Sequence, residues 1–293
     1  MSMLTDHEII ALEKKANDIR QSIISMLVTA GSGHTAGPLG MADVFTTLYF
    51  HSLRHDPHKP AWSERDRLVL SNGHICPVLY ATMAHSGYFP IEELQTLRKF
   101  GSRLQGHPHR AFLPYLETSS GPLGSGLSQA VGMAIADRID GVQSSSSQIA
   151  RFIYCLMGDG ELDEGQNWEA VMLGAKEKLG HLIAIVDRNN IQIDGFTEDV
   201  MPISPLADKW SAFGWHVQEI DGNNILEIAN AIEKAKTILD KPSVIIARTI
   251  PGRGVAEFEG KPEWHGKPPN KAEAEMALRE LRTLGGKIQS EHE

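Results

Sequence analysis

Cysteine, aromatic residues and long apolar runs are all scarce in this chain of 293 residues. The two cysteines, Cys76 and Cys155, have apolar neighbours in the sequence, which argues against a disulfide framework or a cysteine-based zinc site. No apolar run reaches the roughly 18–20 residues that a membrane span needs. The first residues also lack the charged-then-apolar pattern of a secretory signal. We therefore expect a cytoplasmic protein that does not act in a membrane.

Positive charge is in deficit, because 28 Lys and Arg residues stand against 37 Asp and Glu residues and the formal net charge is -9. This balance argues against a nucleic-acid-binding protein, since such proteins neutralise phosphates with clustered basic side chains. Any anionic ligand must instead be held by local features such as a metal ion, a helix terminus or histidines. Hydrophobic residues make up 41% of the chain, which is ordinary for a soluble protein with a buried core.

The spacing of apolar residues predicts strands that alternate with helices, most clearly in the second half of the chain. The predicted strands are 67–70, 150–157, 181–187, 215–221 and 243–249. The predicted helices are 6–29, 41–51, 77–86, 127–140, 168–179, 226–239 and 271–284. Residues 31–40 and 101–128 are predicted loops rich in glycine, and the serine run 144–147 is a predicted exposed turn. This alternation favours an α/β fold with a mostly parallel sheet flanked by helices, and we expect a single domain over residues 1–293.

Polar residues follow two of these predicted strands at the point where each strand ends. Asp159 lies between Gly158 and Gly160, and Asn189 comes 30 residues later, which leaves room for one strand–helix–strand unit between them. Because ligands of open parallel sheets bind beyond the carboxyl ends of the strands, both side chains are expected at one site. The Asp159 carboxylate, the Asn189 amide oxygen and the Ile191 carbonyl would bind Mg²⁺, or Ca²⁺ or Mn²⁺ in its place. The two glycines would let the backbone approach phosphate groups closely.

Gly-Asp-Gly alone is more often a turn than a metal site, but its combination with the later asparagine matches a thiamine diphosphate signature. Further segments of the chain resemble the amino-terminal half of transketolases, and they occur in the order of that family. These segments are Ser32-Gly33-His34, Ser71-Asn72-Gly73-His74, Gly106-His107-Pro108, residues 118–124, residues 187–195 and Trp264-His265-Gly266. The resemblance covers nearly the whole chain, and the joint occurrence of these motifs is highly specific.

The resemblance implies a diphosphate-binding domain of the thiamine diphosphate-binding fold, with thiamine diphosphate and Mg²⁺ as cofactors. The implied cofactor-binding residues are His74, Gly121, Pro122, Leu123, Gly158, Gly160, Asn189 and His265, and the implied metal ligands are again Asp159, Asn189 and Ile191. The implied catalytic residues are His34, His107, His265 and Glu164. Of these, His34 and His107 would contact the sugar hydroxyls near the reacting carbon. Glu164 would link two active sites of a dimer.

Family members continue into a pyrimidine-binding domain and a third domain, whereas this chain stops at Glu293. The resemblance therefore implies the N-terminal subunit of a split transketolase, which moves a two-carbon ketol unit from a ketose to an aldose acceptor. The missing domains would lie on a C-terminal partner subunit in an α2β2 assembly, and the substrate would be a phosphorylated or modified sugar.

The chain departs from the family pattern at two places, both in segments that would hold the substrate. Thr35-Ala36 follows His34 where the family usually has proline, and Ile75-Cys76 follows His74 where small residues are usual.

Two other functions remain open from the sequence. One is the α subunit of a thiamine-dependent 2-oxoacid decarboxylase or dehydrogenase, and the other is a non-catalytic cofactor-binding module. Several residues also have simpler interpretations. Glu161 and Asp163 fit favourable charges at a helix start, and Leu123, Ile193 and Ile250 fit plain core. The expected surface residues are His51, His55, His58, His109 and the loop residue Arg253.

Overall fold

The computed structural model describes residues 4–141 and 151–290 and contains a central five-stranded sheet. The strands are β1 Arg67–Leu70, β2 Ile153–Gly158, β3 Leu182–Asp187, β4 Ile191–Gln192, β5 Gly195–Phe196, β6 His216–Asp221 and β7 Ser243–Arg248. In the central sheet the order is β1-β2-β3-β7-β6, and all neighbouring strands run parallel. Strands β4 and β5 form a separate antiparallel hairpin.

Helices cover both faces of the sheet. They are α1 Asp6–Ala30, α2 Ala36–Gly40, α3 Ala42–Thr47, α4 Cys76–His85, α5 Ser125–Ile139, α6 Gly165–Lys176, α7 Thr197–Val200, α8 Leu206–Ala212, α9 Ile225–Lys236 and α10 Lys271–Ser290. Single helical turns of other types occur at Leu48–Ser52, Gly73–Ile75, Ile91–Thr96, Gly160–Asp163 and Pro262–Trp264. None of the helices in the described ranges is long and apolar enough to span a membrane.

Two apolar clusters lie on opposite faces of the sheet. Along β3, Ile183 and Ile185 belong to one cluster, whereas Ala184 and Val186 belong to the other. Helices α1, α3, α4, α9 and α10 contribute to the first cluster, and α5, α6 and α8 contribute to the second. Because successive side chains of a strand point to opposite faces, a strand buried on both sides needs an unbroken apolar sequence. The apolar run of β3 meets that requirement.

The predicted parallel α/β architecture is confirmed, with differences at the edges of elements. Strand β1 has the predicted bounds, and the remaining central strands differ from prediction by one to three residues at an end. The predicted helix 41–51 ends at Thr47, and a wider π-type turn continues it over Leu48–Ser52. The predicted loop 31–40 contains helix α2 in its second half. Residue Ala150 and the serine run 144–147 lie outside the described residues.

Helix α1 begins and ends on strong local signals, and its end places the first histidine loop. Thr5 and Glu8 form a reciprocal capping box at its start, which satisfies backbone N–H groups that lack helical partners. Gly31 closes the helix with φ 61°, a left-handed conformation that glycine adopts without steric cost. The chain then turns over the carboxyl edge of the sheet, where it presents His34.

Candidate active site

The ends of β2 and β3 bring Asp159 and Asn189 together, as the strand pattern predicts. These strands are neighbours, and Gly158 pairs with Asp187 at the last position of the ladder. One residue further on, the Asp159 amide donates to the Asp187 carbonyl at 3.2 Å. The Asn190 amide donates to Asp159 Oδ2 at 2.8 Å. Backbone pairing therefore fixes the distance between the two strand ends before any ligand binds.

The Asp159 carboxylate is buried, with 1% of the residue exposed. Its Oδ1 accepts a bond from the Gly160 amide at 2.8 Å, and its Oδ2 also accepts from Arg188 Nη1 at 3.1 Å. Burial raises the pKa of Asp159, while the backbone donors and Arg188 oppose that rise. A carboxylate has about four acceptor positions. The three donors around Asp159 thus leave room for a cation on this carboxylate.

Asn189 is oriented by its own neighbours. Its Nδ2 donates to Asp187 Oδ2 at 2.8 Å, and its Oδ1 accepts from the Ile191 amide at 3.0 Å. Asp187 is fully buried and also accepts a bond from Thr249, and burial raises the pKa of Asp187 to about 7. Because Nδ2 is committed to Asp187, the amide oxygen of Asn189 is the atom turned towards Ile191.

The donor set at these strand ends consists of oxygen atoms, which suits a hard divalent cation such as Mg²⁺. Across residues 4–141 and 151–290, no group of three or more His, Cys, Asp and Glu side chains is arranged to hold a metal ion. A carboxylate, an amide oxygen and a carbonyl supply only part of an octahedron. The residues therefore fit a magnesium ion whose remaining ligands are phosphate oxygens and water.

Three histidines from three separate loops meet beside these strand ends. The ring centroids of His34 and His74 are 4.8 Å apart, those of His74 and His265 are 5.2 Å apart, and those of His34 and His265 are 5.5 Å apart. Burial, with a smaller contribution from the neighbouring rings, lowers the pKa of His34 to about 4 and that of His74 well below 6.5. Burial also lowers the pKa of His265. All three rings are therefore neutral at pH 7, and each can both donate and accept one hydrogen bond.

His107 lies at the more open end of the same site. Burial and the nearby Arg98 lower its pKa. A Cβ on Gly121 would lie 4.0 Å from His107 Cγ, so the loop that precedes α5 passes close to the His107 ring. The Ser120 amide donates to the Pro108 carbonyl at 3.0 Å, which ties the two loops together.

One cavity of about 260 Å³ gathers most of the predicted site residues. Its lining includes His34, His74, His107, Gly121, Leu123, Gly158, Asp159, Gly160, Asn189, Ile191 and His265. The two other predicted residues, Pro122 and Glu164, are exposed outside this lining. Glu164 is the residue that precedes α6. Among the described residues, the buried Nδ1 atoms of His34 and His265 find no hydrogen-bond partner, as expected of a cavity that takes a polar ligand.

Glu161 is a residue that sequence reasoning missed. Only 3% of it is exposed, and its carboxylate accepts bonds from Ser71 Oγ, from the Gly124 amide at 2.7 Å and from the Gly158 amide at 3.0 Å. These donors belong to three loops that carry His74, Leu123 and Asp159. The interpretation of Glu161 as a helix-start charge accounts for neither its burial nor these contacts. Asp163, in contrast, is exposed as expected.

Several other residues were expected to be plain core or plain surface, and only some of these predictions are confirmed. Ile193 and Ile250 are not core, since 70% and 39% of these residues are exposed, and Leu123 is half-buried in the cavity wall. His55 is not a free surface residue, because its ring bonds the Tyr88 hydroxyl and the Tyr49 carbonyl. The expected exposure is confirmed for His51, His58 and His109. Arg253 is half-buried and lies 3.9 Å from a Glu259 carboxylate oxygen.

The two departures from the family pattern make contacts that join loops around the cavity. Thr35 Oγ1 donates to the Lys267 carbonyl at 2.6 Å, which ties the His34 loop to the His265 loop. The Cys76 thiol donates to the Gly106 carbonyl at 3.2 Å, next to His107. Burial raises the pKa of Cys76 to about 12, so this group remains a thiol. Both residues thus help to hold histidine-bearing loops in place.

Comparisons with known proteins point to one family. The family described as "Transketolase, thiamine diphosphate binding domain" matches residues 12–286. The chain is 45% identical to the SqwG subunit of a 6-deoxy-6-sulfo-D-fructose transketolase from Clostridium sp. (strain MSTE9), over 94% of this chain and 98% of that subunit. It is 42% identical to one subunit of an apulose-4-phosphate transketolase from Actinobacillus succinogenes, over 92% of this chain and 96% of that relative.

Solved structures extend the comparison to longer proteins. A crystal structure of a transketolase variant from Pichia stipitis superposes with a TM-score of 0.87 at 34% identity. The match covers 94% of this chain but only 41% of the Pichia stipitis chain. The chain therefore corresponds to nearly the full length of the two subunits above and to about two fifths of this longer transketolase.

Proposed function

The chain belongs to the transketolase family, and on that premise we propose that it is the N-terminal subunit of a split transketolase. In this role it transfers a two-carbon ketol unit from a ketose to an aldose acceptor. We further propose that residues 1–293 form a single diphosphate-binding domain and that a partner subunit carries the pyrimidine-binding and C-terminal domains. The observation that carries the proposal is that one cavity is lined both by oxygen donors suited to a metal ion and by four histidines.

The cofactor end of the site is assigned to thiamine diphosphate with Mg²⁺. In this assignment Asp159, Asn189 and the Ile191 carbonyl bind the metal ion, and Ca²⁺ or Mn²⁺ can replace Mg²⁺. Gly158 and Gly160 let the backbone approach the diphosphate, and His74 donates a hydrogen bond to it. Thiamine diphosphate supplies the nucleophilic carbon and the electron sink when it is bound. The protein supplies orientation and electrostatics.

The substrate end is assigned to His34, His107 and His265. Their lowered pKa values favour neutral rings at pH 7, and a neutral ring can donate a hydrogen bond to one sugar oxygen and accept a proton from another. The Nδ1 atoms of His34 and His265, which lack a hydrogen-bond partner within residues 4–141 and 151–290, supply two of the groups needed for sugar hydroxyls. Neutral rings also avoid the cost of burying a cluster of cations.

The remaining residues of the site face the aminopyrimidine ring and the partner. Gly121, Pro122 and Leu123 present backbone to that ring, and Gln166 Nε2 donates to the Leu123 carbonyl at 3.1 Å. Glu164 is exposed, which suits contact with a second active site in an α2β2 assembly. We place the assembly in the cytoplasm.

We propose a sugar that carries an anionic group as the substrate. The two relatives described above belong to transketolases named for 6-deoxy-6-sulfo-D-fructose and for apulose 4-phosphate, and both names describe sugars with such a group. Neither the 2-oxoacid decarboxylase role nor the non-catalytic module is favoured, because the relatives that match nearly the whole chain are transketolase subunits.

Calorimetric titration of thiamine diphosphate with Mg²⁺ tests this proposal. The wild-type chain is titrated alone and with the co-expressed partner subunit, beside Asp159→Ala and the exposed control Asp163→Ala. We expect binding that requires Mg²⁺ and is strengthened by the partner, that is lost in Asp159→Ala and that is retained in Asp163→Ala. Folded protein that binds no cofactor in any mixture would contradict the proposal.

A further inference from the structure

Arg188 is a buried cation in direct contact with the proposed metal ligand Asp159. Only 7% of the residue is exposed. One side of its guanidinium donates to Asp159 Oδ2 at 3.1 Å, and the other side donates to Glu198 and, at 3.4 Å, to Ser204 Oγ. Ser204 Oγ in turn donates to Glu198 Oε1 at 2.9 Å. The guanidinium therefore bridges the end of β2 and the segment around α7.

This contact changes the charge that a metal ion meets at the site. Asp159 is the one carboxylate among the three proposed metal ligands, and Arg188 neutralises it. A bare divalent cation would thus bind to an amide oxygen, a carbonyl and an ion pair, with a fixed positive charge close by. The repulsion between like charges is large where water is excluded. A cation chelated by a diphosphate carries net negative charge instead, and Arg188 attracts it.

Other carboxyl groups lie near Arg188, and the effect of removing its positive charge adds to theirs. Glu161 lies in the same cavity wall, where three hydrogen-bond donors hold its carboxylate. Asp187 is bonded to Thr249 and Asn189. Glu198 is paired directly with Arg188 and offsets part of its charge, but Glu198 is partly exposed, so water screens this effect.

We propose that Arg188 is a positioning residue that makes metal binding depend on the diphosphate. It holds Asp159 in place and excludes bare divalent cations, so the metal ion enters as its complex with the cofactor. The inference rests on the proposed cofactor site and adds a selection step to it. Removal of the positive charge should therefore increase the affinity for the bare metal ion, a gain that the loss of a merely structural contact would not produce.

Binding of Mn²⁺ followed by electron paramagnetic resonance tests the inference, because the signal of free Mn²⁺ falls as the ion binds. The full-length chain with its partner subunit is titrated with Mn²⁺ alone and with Mn²⁺ plus thiamine diphosphate, at pH 8. The variants are Arg188→Met, Arg188→Gln, which keeps a hydrogen-bond donor without the charge, and Arg188→Lys, which keeps the charge. Arg248→Met is the matched control, since Arg248 is paired with Glu219 on the exposed edge of the sheet.

We expect Arg188→Met and Arg188→Gln to bind Mn²⁺ alone about tenfold more tightly than wild type, or more. Arg188→Lys and Arg248→Met should behave as wild type, and binding with thiamine diphosphate should change less than binding of Mn²⁺ alone. Folded variants without Arg188 that bind bare Mn²⁺ no more tightly would overturn the inference.

If neither neutral variant folds, Glu198→Gln decides the question, because it leaves Arg188 with one acidic partner fewer. The cofactor should then raise Mn²⁺ affinity by a larger factor than in wild type, and an unchanged factor would overturn the inference. Wild-type protein that binds no thiamine diphosphate at all would instead contradict the proposed function.

Discussion

At the scale of single residues, the site depends on three histidine rings that cannot all be cations. Their centroids lie within 4.8 to 5.5 Å of one another, and each is at least half-buried. Charging one ring would require burial of a cation and would repel protons from the other two. The cluster therefore favours neutral rings, which have both a donor and an acceptor nitrogen. A neutral ring can therefore donate to a phosphate oxygen, as proposed for His74, or bind a sugar hydroxyl, as proposed for His34 and His265.

The lowered pKa of His34 predicts a loss of stability in weak acid. As the pH falls below 6.5, the unfolded chain takes up a proton that the folded chain resists until about pH 4. The free energy of unfolding is therefore unaffected by this group at neutral pH and falls as the pH is lowered. Between pH 7 and pH 5 the loss amounts to about 2 kcal/mol for a shift of this size.

Urea denaturation of wild type and His34→Asn at several pH values measures this effect. The variant should lose about 2 kcal/mol less than wild type between pH 7 and pH 5. His58→Asn is the control, because His58 is exposed, and it should follow wild type. Parallel pH profiles for wild type and His34→Asn would show that the His34 ring is not held neutral by the fold.

The oxygen donors of the proposed metal site could be identified from the sequence alone. Asp159 and Asn189 stand out because a polar side chain at the end of an apolar strand has a position that topology predicts. Glu161 and Arg188 were not identified, because an acidic residue at a helix start or an arginine in a loop is usually solvated. Apart from Gly158, their partners lie 10 to 90 residues away along the chain. Only the folded chain reveals that these charges are buried and paired.

At the scale of elements, the long helices and central strands follow from periodicity, and the short pieces do not. Hairpin β4–β5 has two residues in each strand and α7 has four residues, too few for an apolar repeat to be visible. The hairpin nevertheless carries Ile191 and Ile193, which line the cavity. Its position is fixed by contacts at its start, where the Asn190 amide donates to Asp159 Oδ2 on the neighbouring strand end and the Ile191 amide makes a local bond to Asn189 Oδ1.

The start of α5 must approach the loop after β1 very closely, and Gly126 permits that approach. A Cβ at this position would lie 2.4 Å from Ser71 Cβ, which is far below van der Waals contact. Gly126→Ala should therefore lower the free energy of unfolding by about 1–3 kcal/mol, as overpacking does. It should also displace Ser71, whose hydroxyl bonds Glu161.

Gly132 in the same helix provides a matched control for this substitution. Apart from the helix's own backbone, no atom in the described part of the chain lies within 4 Å of a Cβ at Gly132, so Gly132→Ala should stabilise the helix by about 0.5–1 kcal/mol. Thermal or urea unfolding of both variants measures the difference. Equal stability of the two alanine variants would show that the loop after β1 moves away from α5 at no cost.

At the scale of the whole molecule, one sheet edge collects loops from nearly the full length of the chain. His34 and His265 are 231 residues apart in the sequence, yet their rings are neighbours. The family resemblance predicts this convergence, because it assigns both loops to one site.

The proposed assembly contains two copies of this chain and two of the partner subunit. Glu164 precedes α6 in an exposed position, and a carboxylate that links two active sites needs a second copy of the site nearby. A complex with one copy of each subunit would lack the second active site that this role of Glu164 requires. Sedimentation equilibrium of the co-expressed subunits, with thiamine diphosphate and Mg²⁺, should therefore give the mass of two copies of each.

Glu164→Gln should weaken the association between the two pairs of subunits, where a pair is one copy of this chain with one partner subunit. The exposed control Glu169→Gln should not weaken it. A mass that corresponds to one copy of each subunit at every concentration would contradict the role of Glu164 between two active sites. It would not contradict the proposed cofactor site.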